Sequence, residues 1–305
     1  MVKDVEAASA AQNKPLIFGI GHVLRYSPYN RAVKEVIDSG ALGEIVNIQH
    51  MEPVGNQHFA HSFVRGNWSK EEETSFALMT KCCHDLDILS FYLSGLTPVQ
   101  ISSFGNIGLF KPSRKPKEAG DATRCLECPA EKDCVWSAKK IYLDPYLKTG
   151  RKGWAAVAVE GDEVNEETIT DALNTGPYGV CVYEAGNDVV DHQVVNIEYE
   201  GGVTAMIQGT RGELRGDMKT FTVYDFLTRT SKTHTPREVA GAAHGGGDDG
   251  LSESFVQAVL SRDQSKLGVT PQDVLNSHLT VFAAEQARKE KRVVDFAAFK
   301  KAALA

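Results

Sequence analysis

Hydrophobic residues recur along this chain with two periods, and the alternation between them sets the expected elements. The clearest helical stripe lies at residues 76–94. Leu78, Cys82, Leu86, Leu89 and Leu93 follow one another at steps of four, four, three and four, the spacing of one buried helix face. At 100° per residue, Thr80, Lys81, His84 and Asp87 fall on the opposite face. Residues 2–12 predict a short alanine-rich helix. Residues 15–24 form an apolar run that predicts a buried strand. Ser27 and Pro28 then supply an N-cap and a first helical residue, Ala32, Val33, Val36 and Ile37 an apolar face, and Gly40 a stop. Residues 43–52 alternate as a strand, and 99–104 predict another.

Residues 110–177 break this rhythm and read as an insertion of short helices with little sheet. The sheet pattern resumes at 191–200, with Gly201 and Gly202 as a hairpin turn into 203–209. Strands at 212–214 and 221–227 extend an antiparallel meander. A helix over 250–261 would turn Leu251, Phe255, Val256, Val259 and Leu260 inward. Thr270 and Pro271 cap a last long helix, and 293–296 form a final short strand. This order predicts an α+β fold: a large open, mostly antiparallel sheet with helices on one face.

Composition narrows the function classes. The chain has 305 residues, 42% hydrophobic and 24% charged, enough for one large domain or two smaller ones. A net charge of −7 argues against a nucleic acid or an anionic membrane as partner. The apolar runs are too short to span a bilayer, and the acidic N-terminus lacks a signal-peptide core, so a cytoplasmic location is expected. Six cysteines without such a signal point to reduced thiols or a metal rather than a disulfide framework.

The chemistry concentrates in a few places. On the polar face of the 76–94 helix, His84 lies three residues after Lys81 and three before Asp87. Facing solvent, this trio is an ordinary charged surface; facing a cleft, it is a proton-transfer site, because a neighbouring charge tunes an imidazole that titrates near neutrality. Tyr178, Asn187, Asp188, Asp191 and His192 form a dense polar set, either a hydrogen-bonded network or a sugar site. His58, His61, Arg65 and Trp68 sit in an irregular segment, as loop packing or as an arginine and an indole beside a sugar. His244 opens a glycine-rich loop, followed by Asp248. Cys125, Cys128 and Cys134 give a C-x2-C-x5-C spacing, which suits a structural zinc ion with a fourth ligand, free buried thiols or a disulfide. Gly19-x-Gly21 is not a dinucleotide fingerprint: the third glycine, the immediate helix and the downstream acid are missing.

The ordered motifs GHVLRYSPYNRAVKEVIDSGALGEI, ALMTKCCHDLDIL, YGVCVY, NDVVDHQVVNIEYEGGVTA, RGELRGD and HGGGDDG resemble the C-terminal portion of the Gfo/Idh/MocA oxidoreductases, over nearly the whole chain. The resemblance implies a substrate-binding and oligomerisation domain over 25–305, with a cysteine-rich insertion at about 110–177. Residues 1–24 would be the last helix and strand of a Rossmann domain whose body is not in this sequence. It further implies an NAD- or NADP-dependent dehydrogenase of a sugar, polyol or sugar derivative, of which this chain supplies the substrate half. The alternative is a non-catalytic carbohydrate-binding or oligomerisation domain. A homo-oligomer through the sheet face and a carbohydrate-like small-molecule substrate are the expected partners. His84 matches the family histidine, with Lys81 and Asp87 as expected catalytic partners. The family aspartate position falls on Thr80, a departure for which Lys81, Asp85 or Asp87 would compensate. Arg25 and Tyr26 match the residues leading toward the nicotinamide, and Arg25 alone is expected to reach the cofactor. Lys14-Pro15 is not taken as the family's Glu-Lys-Pro. Arg25, Tyr26, Arg65, Trp68, Tyr178, Asn187, Asp191, His192 and His244 are the expected substrate contacts.

Overall fold

The computed structural model describes residues 2–12, 16–94, 96–161, 163–200, 204–205, 207–239 and 243–305. Lys14-Pro15 and the Gly201-Gly202 turn lie outside the described residues. The chain divides into two compact units, one of residues 1–52, 81–103 and 195–305, the other of residues 53–80 and 104–194. Nine strands are named here: β1 (Ile45–Ile48), β2 (Pro98–Asn106), β3 (His192–Tyr199), β4 (Thr204–Ala205), β5 (Gln208–Gly209), β6 (Gly212–Gly216), β7 (Phe221–Asp225), β8 (Thr230–His234) and β9 (Val294–Asp295).

The architecture is α+β, with mostly antiparallel strands, as the periodicity implied. Among the described residues the strands group into two sheets. Six strands run in the order β4-β1-β5-β6-β7-β8 and three in the order β3-β2-β9. β1 pairs with β4 in parallel. The β6-β7-β8 meander pairs Leu214 with Val223 and Phe221 with His234. Gly209 of β5 lies against the backbone of Leu42, where an added Cβ would stand 1.9 Å from the Leu42 carbonyl oxygen.

In the first unit, the helix Pro28–Asp38 begins as expected: the Ser27 hydroxyl accepts from the Asn30 N–H and Pro28 takes the first helical position. The helix Pro271–Glu290 starts from a reciprocal Thr270–Asp273 capping box. Three expectations change. The strand over 15–24 is absent from its described residues, which carry no regular structure until the 3-10 turn Val23–Tyr26. Its backbone is satisfied by a side chain instead of a ladder: Gln264 accepts from the Phe18 N–H and donates to the Phe18 carbonyl. Ile17, Ile20 and Tyr26 pack on Ala258, Leu267, Val269 and Val274.

The helix expected over 76–94 is two helices, Ala77–Thr80 and Cys83–Tyr92. Thr80 turns its hydroxyl back onto the carbonyls of Phe76 and Ala77, a contact that bends helices. Cys82 leaves helical geometry at φ −100°, ψ 14°. The period therefore does not carry across the break, and Asp87, expected on a polar face, is 0% exposed. The helix Gly247–Ser261 also departs from its pattern. It buries Ala258, while Phe255, Val256, Val259 and Leu260 are exposed.

The second unit is helical with little sheet, as the broken rhythm of residues 110–177 predicted. The helix Glu166–Thr175 starts from an Asn165 capping box and buries Ile169 and Leu173. These pack with Val64, Phe110, Ile141, Tyr142, Tyr178 and Val182 in one core.

Gly209→Ala is expected to destabilise the first unit by about 1–3 kcal/mol, because the backbone of Leu42 cannot yield to the methyl group. A lowered urea midpoint with an unchanged denaturant slope would show it; an unchanged midpoint would refute it.

Candidate active site

In the first unit the two acids of HDLD, both on the helix Cys83–Tyr92, enter two separate groups. The deeper group centres on Asp87. Arg25 reaches it with two donors, Nε to Oδ2 at 2.5 Å and Nη2 to Oδ1 at 2.7 Å. His22 Nδ1 lies 3.0 Å from Oδ1, and the His22 ring meets His278 edge-on at 5.0 Å. Burial opposes the charge on His22, yet Asp87 and Cys83 beside it push its pKa up to about 9. Burial likewise opposes the charge on Asp87, and its contacts with His22 and Arg25 overcome that and hold its carboxyl below the usual range. Burial, with the neighbouring His22, lowers the pKa of His278. Asp87 is therefore an ionised carboxylate inside the unit, neutralised by its own fold.

The shallower group centres on Asp85. His50 Nε2 lies 2.6 Å from its Oδ1, and His84 Nδ1 lies 3.0 Å from its Oδ2. The second contact is close enough for an ion pair but off hydrogen-bond alignment, so both atoms lack a hydrogen-bond partner. Burial opposes the charge on Asp85, yet His50 and His84 hold its carboxyl down at about 2. Lys81 Nζ pairs with Glu52 at 3.2 Å. The His84 ring meets the His244 ring edge-on at 5.7 Å, and His244 Nδ1 lies 2.8 Å from Asp248. His244 holds a left-handed φ of 48°, uncommon for a non-glycine residue. Cys82 stays a neutral thiol: burial first, then Asp85 and Glu52, push its pKa up. His50 also lines a cavity of about 330 Å³ with Asn30, Gln49, Tyr92 and Arg215.

This arrangement regroups the residues singled out in the sequence. Lys81, His84 and Asp87 do not form one trio: Asp87 belongs to Arg25 and His22, and Lys81 pairs with Glu52. Arg25 is 7% exposed and engaged with Asp87. Tyr26 is buried and donates its hydroxyl to the Leu267 carbonyl at 2.8 Å. His244, by contrast, is brought to His84. His22, His50 and Asp85 carry the electrostatics. Of these, only Asp85 had a sequence signal, its place next to His84. The histidines come from segments with no periodic tie to the helix.

In the second unit Arg65 is buried, donating to the carbonyls of Val180 and Trp136 and to Cys125 Sγ. Trp68 packs on Phe63. The Tyr178 ring stacks on His61, which also meets the rings of Trp154 and Tyr142. Burial first, with His58 and Arg65 nearby, holds His61 at about 4, so it serves as a neutral ring. Asn187 is buried with both amide atoms lacking a hydrogen-bond partner. Asp191 accepts the N–H groups of Gly108, Leu109 and Phe110 at 2.9, 2.6 and 3.2 Å, and His192 Nδ1 lies 2.9 Å from its Oδ1.

The zinc expectation on Cys125, Cys128 and Cys134 finds no support. With Cys181 they line a cavity of about 30 Å³. Among the described residues, however, no group of three or more His, Cys, Asp or Glu side chains is arranged to hold a metal ion. Burial pushes the thiols of Cys134 and Cys181 up. All six cysteines are free.

The overall fold can be matched to solved structures. An oxidoreductase domain protein from Kribbella flavida aligns over 97% of this chain and 70% of its own, at 13% identity and a TM-score of 0.59. An oxidoreductase from Agrobacterium radiobacter, in complex with NAD+, L-tartaric acid and magnesium, shares 14% identity over the same fractions, with a TM-score of 0.52. A scyllo-inositol dehydrogenase from Lactobacillus casei, with bound NAD(H) and scyllo-inositol, shares 16% identity, again over 97% and 70%, with a TM-score of 0.51. The chain shares the fold of these solved oxidoreductases. In sequence it is 23% identical over 188 residues to "Putative oxidoreductase YteT" of Bacillus subtilis (strain 168), a match spanning 58% of this chain and 39% of that protein. No family model matches the chain. Among the described residues no helix is long and apolar enough to cross a membrane.

Two outcomes follow from the geometry. Asp87→Asn strands a buried guanidinium and is expected to cost about 3–5 kcal/mol of stability, measured by urea unfolding; a loss under 1 kcal/mol would remove Asp87 from that role. His22 has a folded pKa raised from 6.5 to about 9, so its stabilisation is full below pH 6.5 and is lost as pH rises through about 9. The stability difference between the parent chain and His22→Gln should therefore shrink from pH 6 to pH 10. A difference independent of pH would refute it.

Proposed function

We propose that this chain supplies the substrate-binding part of an NAD- or NADP-dependent oxidoreductase that acts on a hydroxyl or keto carbon of a sugar, polyol or sugar derivative. His84 carries the reading. Its imidazole sits 12% exposed, with Nδ1 3.0 Å from the Asp85 carboxylate, which His50 binds from its other oxygen. An imidazole beside a fixed anion can take the proton of a substrate hydroxyl, because the carboxylate stabilises the imidazolium that forms. Lys81, neutralised by Glu52, and His244, edge-on to His84, frame the same group. The oxidoreductases of like fold support the reaction class. The scyllo-inositol bound by one of them favours a hydroxyl-rich substrate.

The nicotinamide cofactor is assigned to no residue of this chain. Arg25, the residue read toward it, binds Asp87, and Gly19 and Gly21 lie in irregular backbone that leads into the 3-10 turn Val23–Tyr26. The steps assigned here concern substrate and proton alone. Domain assignment follows the same reading: residues 1–24 as the end of a nucleotide-binding domain, 25–305 as the substrate and oligomerisation domain. Exposed Phe104 on β2 and Val194 on β3 support self-association through a sheet face. A cytoplasmic location accompanies this reading.

In the holoenzyme, His84→Asn is expected to lower kcat by about 10²–10⁴-fold, the range of general acid–base contributions, with the thermal midpoint nearly unchanged. It would be measured as NAD(P)H formed with a panel of cyclic polyols and aldoses. Turnover equal to the parent would exclude His84 from the proton step. Light scattering should show an oligomer that Phe104→Lys with Val194→Lys dissociates; a monomeric parent chain would overturn the sheet-face assignment.

A further inference from the structure

The second unit contains a cavity of about 550 Å³ whose walls the proton-transfer site does not use. Phe59, Phe110 and Trp136 form its apolar side, and Asn56, Arg114 and His192 its polar side. That volume falls in the range of small-molecule sites, and a mostly apolar wall with a few directional polar groups is their usual make-up.

The rings are set as a platform. Phe59 stacks on Phe110 with centroids 5.5 Å apart and planes 9° from parallel, and Trp136 meets Phe110 edge-on at 5.0 Å. One residue holds the loop that carries Phe110. Asp191 accepts three consecutive N–H groups, from Gly108 to Phe110. Burial opposes its charge, but these donors and His192 keep its carboxyl below the usual range. The acid is thus consumed by the wall and is not a free anion in the cavity. His192 turns Nδ1 to Asp191, which leaves Nε2 as its open nitrogen. It is 58% exposed and lies flush with Gly108, where a Cβ would stand 3.3 Å from the ring. Arg114 is exposed and uses Nε on the Gly108 carbonyl, which leaves its two terminal amino groups.

We propose that this cavity is a carbohydrate-binding site of the second unit, distinct from His84, that takes a pyranose or a cyclic polyol. The apolar C–H face of such a ring lies on the indole and phenyl faces, and its hydroxyls meet donors in fixed directions from Arg114, Asn56 and His192. A purely apolar ligand would leave those polar groups unpaired. A small anion would leave the aromatic wall uncovered.

The test uses the full chain, with myo-inositol, glucose and glucuronate offered separately and followed by calorimetry and saturation-transfer NMR. At least one should bind saturably, and Arg114→Ala and Trp136→Ala should each weaken it tenfold or more. His84→Asn should leave this binding unchanged. Arg114 is exposed, so its variant keeps the fold even if Trp136→Ala disturbs the core, and it decides the matter alone. Binding of none of the three, or binding that Arg114→Ala leaves intact, overturns the proposal. Binding lost through His84→Asn alone would also overturn it, while leaving the function assigned to His84 standing.

Discussion

A carboxylate with no access to water, Asp87, is the constraint on which the first unit depends. An ion of that size carries a desolvation penalty of several kcal/mol even after relaxation. It is tolerated because Arg25 and His22 approach it from a segment that is itself irregular. The backbone of residues 16–22 makes no ladder, and Gln264 closes its hydrogen bonds. The charge pair thus ties a segment without regular structure to the helix Cys83–Tyr92. It also keeps Arg25 and Tyr26 inside the unit. Both are buried, one on Asp87 and the other on the Leu267 carbonyl.

The helix break follows from the same economy of space. Asp85 and Asp87 lie two residues apart, about 200° around a helix, so they face different surroundings. One is sealed between a guanidinium and an imidazole; the other sits between His50 and His84, near the surface. Both are held ionised, and each adjoins an imidazole with a ring nitrogen that lacks a hydrogen-bond partner, His22 at Asp87 and His84 at Asp85. Burial and the guanidinium tell the two apart: Asp87 is fully buried and bound by Arg25 through two donors, whereas the imidazole beside Asp85 keeps some exposure.

The second unit uses its polar-looking residues differently. His61 is a neutral ring between Trp154 and Tyr178, and Arg65 lies in the core on two carbonyls and a thiol. Asp191 holds a loop. Of the two arginines, Arg65 is buried and Arg114 from the insertion is exposed, while Trp68 and Trp136 are both half-buried. An arginine followed by a tryptophan on a loop looks the same in sequence whether the loop is folded inward or outward. Only the packing of Phe63, Val64 and Phe110 decides it.

What the sequence determined by itself was local. Caps at Ser27 and Thr270 fixed two helix starts, alternation fixed the β6-β7 hairpin, and the loss of periodicity fixed the little-sheet insertion, because each depends on residues within a few positions of one another. The motif order also fixed the fold, as the solved oxidoreductases confirm. What only the tertiary structure decided was which charges meet. Asp87 finds Arg25 from 62 positions away, and Asp85 finds His50 from 35. No period links such partners, so their pairing, and with it the division between a buried ion pair and an open imidazole, is set by packing alone.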